Sequence, residues 1–139
     1  MFGSEKKNAR RWAESVAQLK AATLTIQQFV NLNEKCTLWY STPFGTDLRT
    51  GRERPYALSR TDTDTLFLPV FTSAEACTKH FEAAGRDGFP VIKGTLKDAL
   101  ASLDTHPVIA PWGVVVDPDS AASICIPPHV RVQPKCLRD

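Results

Sequence analysis

Two residue pairs in this chain have the spacing of metal ligands. Cys77 and His80 are three apart in a segment of helical periodicity, so both can face one side of a helix. Cys125 and His129 are four apart, just beyond an apolar run. Two sulfur/nitrogen pairs from separate segments are what a tetrahedral zinc site requires. Against that reading, the chain has no Cys-x-x-Cys, and Cys77 and Cys125 fall on apolar positions, where cysteine serves as a small hydrophobe. The expectation is no metal and no cofactor, with Cys77, His80, Cys125 and His129 as the alternative ligand set. Cys136, near the end, is the thiol placed to oxidise in a purified sample.

The stretch LPVFTSAE, residues 68–75, changes period from strand to helix, and such junctions often carry active sites. Thr72 and Ser73 open the helix, and an anion there would meet free amides and the positive end of the dipole. The glycines that let a phosphate approach the backbone are missing, so capping is the expected role: Thr72 as the cap, with Glu75 reaching back to its amide. Asp62 and Asp64 project to the same side of an extended chain and could hold a divalent cation, and Asp117 and Asp119 in DPDS repeat the spacing. Asp is also a preferred turn residue, and that reading is favoured at both pairs. His106 has no Ser or Cys at a spacing that suggests a catalytic pair. With no nucleophile elbow, Walker loop or dinucleotide fingerprint, no enzyme is expected.

Partner recognition is the alternative to catalysis. Arg49, Arg52 and Arg54 lie in a polar, glycine-bearing loop over 44–54, and Trp39 and Tyr40 lie on the preceding apolar stretch. Trp, Tyr and Arg anchor interfaces, and loops held on a rigid sheet commonly carry contacts, so these five are the expected partner-binding residues. Trp39 and Tyr40 can equally serve the core, one on each face of their strand. Nucleic acid is not the expected partner: the net charge is +2, and acids interleave with the loop arginines. A second basic group, Lys6, Lys7, Arg10 and Arg11, starts the first helix. No run of eighteen apolar residues exists to cross a membrane, and the charged start lacks the apolar segment of a secretory signal, so a cytoplasmic protein is expected.

The elements around these residues read clearly. Trp12, Val16 and Leu19 share one helical face, and Thr25 to Gln28 has capping-box spacing before Ile26, Phe29 and Val30. KCTLWYST reads as a strand, and PYALSRT with TLFLPVF as a hairpin. Leu66 and Leu68 face one side of its second strand and Phe67 the other, while Pro69 puts that strand at an edge or on its way out of the sheet. A helix through Ala74, Cys77, Phe81 and Ala84 ends at Gly85. FPVIK is a strand, Thr95 and Asp98 cap a helix bearing Leu96, Leu100 and Leu103, and WGVVVDP and ASICIPP form an antiparallel pair around DPDS. This order predicts an α/β (α+β) sandwich: one mixed, largely antiparallel sheet with helices packed on it. At 139 residues with 42% hydrophobic content, it is one domain: helical over 1–34, sheet core over 35–132, and a tail over 133–139.

LPVFTSAEACTKHF, GTLKDALASL and GVVVDPDSAASICIPPHV together resemble the SseB N-terminal domain family, over roughly residues 36–132. The resemblance implies a bacterial, non-secreted protein-binding or regulatory module. It supplies no catalytic residues, and the second C-terminal domain of many family members is missing from this sequence. A pocket beside Thr72 that serves a small ligand or an enzyme is the second expectation. A homodimer or larger homo-oligomer through an edge strand is the third, discouraged on the Pro69 side.

Overall fold

The computed structural model describes residues 2–41, 57–59, 64–85 and 90–137. Helix α1 (Phe2–Lys20) and α2 (Ile26–Leu32) precede strands β1 (Thr37–Tyr40), β2 (Leu58–Ser59) and β3 (Leu66–Val70). Then come α3 (Ala74–Ala83), β4 (Ile92–Thr95), α4 (Leu96–Ser102), β5 (Gly113–Val116) and β6 (Ile124–Ile126). The α+β class and the expected elements are present.

The sheet differs from expectation in being divided in two, while its mixed, largely antiparallel pairing is as expected. The strands form a β1–β4 pair and a four-stranded β2-β3-β5-β6 sheet, joined by a single bridge between Trp39 and Phe71. The middle pair, β3 with β5, is parallel, while the other three pairings are antiparallel. Pro69 accounts for the break. Backbone groups alternate sides along a strand, so Phe67, Pro69 and Phe71 address the edge of β3 away from β5. On that edge Phe67 is opposite Leu58, and Phe71 exchanges both bonds with Trp39 at 2.8 Å. Pro69 lies between them with no N–H to offer, so β2 and β1 share this edge without forming one ladder.

The inner face of the sheets carries Leu38, Tyr40, Leu68, Val70, Val114, Val116, Ile124 and Ile126, all buried in one cluster. Helix α4 closes over it with Leu96, Ala99 and Leu100, followed by Leu103. Thr95 is both the last residue of β4 and the cap of α4, in the expected capping box with Asp98. The next two amides, of Leu96 and Lys97, donate to the Cys36 and Glu34 carbonyls, so the start of β1 satisfies the open first turn of α4. Helix α2 has its expected Thr25/Gln28 box and buries Phe29 and Val30. The α1 face formed by Trp12, Val16 and Leu19 packs on the same cluster, with Trp12 edge-on to Phe29 at 4.9 Å. Buried Asn33 also donates to Ser15 at 2.8 Å, tying α2 to α1.

Two backbone details complete the frame. Helix α1 ends in a Schellman motif in which Thr23 N–H bonds to Gln18 O and Ala22 N–H to Leu19 O. Its left-handed residue is Ala22 (φ 60), which no sequence signal marked. Gly113 allows close strand packing, because a Cβ there would sit 2.5 Å from the Ile126 carbonyl and 2.7 Å from the Phe67 ring. Among the described residues no helix is long and apolar enough to cross a membrane.

Candidate functional site

The outer face of the sheet is covered more thinly. Phe71, Cys77 and Phe81 form a small cluster under α3, with half-buried Trp39 and Ala76 packed against it. Strand alternation sets this arrangement: Leu38 and Tyr40 go to the inner core, and Trp39 between them goes outward. Opposite Trp39 on β4 is Lys93, whose ammonium lies 5.8 Å from the indole centroid and 3.4 Å from the Glu5 carboxylate at the start of α1. Helix α1 therefore reaches both faces, with its later turns in the core and its first turns at Lys93.

Between α1 and β1 runs a mainly apolar groove of about 220 Å³. Trp12 and Ala9 line it from the helix, Cys36, Thr37 and Trp39 from the strand region, and Glu5 and Asn8 add polar groups. Thr72 closes one end and also borders a second hollow of about 260 Å³ beside Phe71, Asp117 and Asp119. Burial, reinforced by the charge of Asp117, pushes the Cys36 thiol up to about 11. Burial alone does the same to Cys77. Neither thiol is a ready nucleophile at neutral pH.

The strand-to-helix junction is built differently from its sequence reading. Ser73, not Thr72, caps α3, accepting from the Ala76 amide at 3.1 Å. Thr72 is drawn one residue outward by the β5–β6 turn. Its amide and hydroxyl donate to the two carboxylate oxygens of Asp117 at 2.9 and 2.8 Å. Asp117 does this from a left-handed conformation (φ 50), which Asp tolerates better than most residues, and its carbonyl closes the turn by accepting from Ser120 at 2.9 Å. Glu75 does not reach back to a cap; it pairs with Lys79 one turn on, which holds its carboxyl below the usual range. An anion at Thr72 would have to displace the Asp117 carboxylate.

Asp119, two residues on in the same turn, is hydrogen-bonded to His80 Nδ1 at 2.8 Å, and the His80 ring lies 5.2 Å from Phe71 and 5.6 Å from Phe81. Both acids of DPDS thus bind the strand-to-helix segment, Asp117 at its start and Asp119 at the third turn of α3. Cys77 joins His80 on this side, as their spacing requires. Cys125 does not: it is opposite Val115 in the β5–β6 ladder and borders a separate hollow with Phe67 and Pro118. His129 follows in a left-handed turn (φ 70). Among the described residues no three His, Cys, Asp or Glu side chains converge to hold a metal ion. The alternative zinc set is not assembled, because one half is on α3 and the other on β6 and the turn after it.

Of the five expected partner-binding residues, Tyr40 is buried, with 6% of its surface exposed, and its expected contact role is corrected to a core one. Trp39 remains half-buried at the groove. Arg49, Arg52 and Arg54 lie outside the described residues, as does Asp62. Sequence reasoning missed the groove residues Glu5 and Asn8, and Lys93 beside Trp39. A Trp39–Lys93 pairing could have been sought from two adjacent strands, but their register is not written in either one. No family model, no curated protein and no solved structure matches this chain.

Proposed function

We propose that the chain is a non-enzymatic, cytoplasmic protein-interaction or regulatory module, and that its contact surface is the groove between α1 and β1. The observation that carries this reading is Trp39, a large aromatic held half-buried by its register at the rim of an apolar groove. Aromatic residues fixed on a strand lose little entropy on binding and commonly act as interface anchors. The resemblance of LPVFTS and GVVVDP…IPP to the SseB N-terminal domain family supports the same class of function, with Arg49, Arg52 and Arg54 as further contacts. Thr72 and Asp117 then serve the module by locking the end of the groove.

Affinity capture with the wild-type chain and with Trp39→Ala, followed by native mass spectrometry, tests this. One protein held at fixed stoichiometry by the wild type and lost with Trp39→Ala, at unchanged melting temperature, supports the module. A bound small-molecule mass, with Trp39→Ala neutral, would replace it with a ligand-binding function at the Thr72–Asp117 hollow. Self-association lost on substitution of an edge strand would replace it with a homo-oligomer. The outer edge of β4 presents Lys93, a device that discourages edge pairing.

A further inference from the structure

An ammonium group already sits beside two residues that line the groove, Trp39 and Glu5. Lys93 Nζ lies over the Trp39 ring at 5.8 Å and 3.4 Å from Glu5 Oε1, with 58% of its side chain exposed. An exposed pair of this kind adds little to stability and is readily exchanged for a better-seated cation. Below the rim the walls are Trp12, Ala9 and Trp39, which suit a methylene stem. An apolar slot of about 220 Å³ with the Glu5 carboxylate among its lining residues is complementary to one long aliphatic cation. We propose that the groove binds a lysine side chain of a partner polypeptide, with its stem between α1 and β1 and its ammonium taking the place of Lys93 against Glu5 and Trp39. The proposal rests on the module reading above and specifies what the module reads. Lys93 then acts as an internal competitor that keeps the unbound groove satisfied.

The test uses the full chain and blocked lysine, N-acetyl-lysine-N-methylamide, as probe, with blocked norleucine as the uncharged control. Indole N–H resonances of Trp12 and Trp39 are followed by NMR. Blocked lysine is expected to shift the Trp39 signal saturably, and norleucine is not. Lys93→Ala, which removes the competitor, should tighten binding about two- to fivefold, the scale of one exposed cation–aromatic contact. Glu5→Gln should weaken it by a similar factor. Both positions are on the surface, so these variants test recognition with the fold intact. Equal response to the two probes, or weaker binding with Lys93→Ala, overturns the proposal. Loss of partner capture with Trp39→Ala, together with silence toward blocked lysine, removes the lysine specificity and leaves the module standing. Capture indifferent to Trp39 removes the module at this surface, whatever the probe does.

Discussion

The two faces of the sheet are built to different standards. On the inner face, sixteen buried residues from α2, α4, the strands and the 103–112 connection form one continuous cluster, and Leu96, Ala99, Leu100 and Leu103 are at most 1% exposed. On the outer face, the cluster under α3 has three buried members, and Trp39 is only half-covered. Polar side chains carry more of the organisation there: Ser73 caps α3, Asp117 holds Thr72, and Asp119 meets His80. The difference separates a frame, whose energy is apolar burial, from an outer face whose geometry is set by hydrogen bonds that solvent can reach.

Cavity formation gives the largest contrast between the faces. Leu100→Ala should cost about 2–5 kcal/mol by chemical denaturation, because the packed inner layer cannot collapse onto the void. Cys77→Ala removes one buried atom from the outer cluster and should cost about 1 kcal/mol. Equal losses would erase the distinction.

The glycines sharpen it. Gly113→Ala should cost about 1–3 kcal/mol through overpacking, since the Ile126 carbonyl that a Cβ would strike belongs to the backbone. Gly94→Ala meets the Tyr40 hydroxyl at 2.8 Å, the end of a side chain that can turn aside, and should cost less in the same melting experiment.

On the outer face, Asp117→Ala should destabilise by about 1–2 kcal/mol, from two lost bonds to Thr72 and the left-handed backbone that Ala adopts less readily. Asp117→Asn keeps the conformation and one acceptor oxygen, so it should fall between Ala and wild type. Hydrogen exchange should accelerate at Thr72 and along the first turn of α3, and not in α4.

The effect at neutral pH is smallest for the buried thiols. Cys36 and Cys77 each rise to about 11 from the usual 9.0, so above pH 9 the unfolded chain releases protons that the folded one retains. Their contribution to stability is complete below pH 9 and is lost as the pH rises toward 11. Denaturation midpoints should therefore fall over that window, and less steeply with Cys36→Ala.

What was legible in the sequence was local. The capping boxes at Thr25/Gln28 and Thr95/Asp98, the left-handed Gly85 and the β2–β3 hairpin depend on residues a few positions apart, and all are present. The capping residue of α3 was misread because Thr72 and Ser73 are both competent, and the choice falls to Asp117, 45 residues away. The parallel β3–β5 pairing and the Trp39–Phe71 bridge are long-range for the same reason. Pro69 signalled an edge, but not that two strands would divide it. Trp39 was legible as a strand residue facing the side opposite Tyr40. Glu5 and Lys93, which meet beside it, are 88 residues apart and became neighbours only through the packing of α1 against the β1–β4 pair.

The central claim is that the α1–β1 groove is the working face, and hydrogen exchange of the chain with and without its captured partner tests it most directly. The account predicts new protection at residues 5–12 and 36–39, with α4 and β5 unchanged. Protection appearing instead along β6 or the outer edge of β4, with residues 5–12 and 36–39 unaffected, would contradict it.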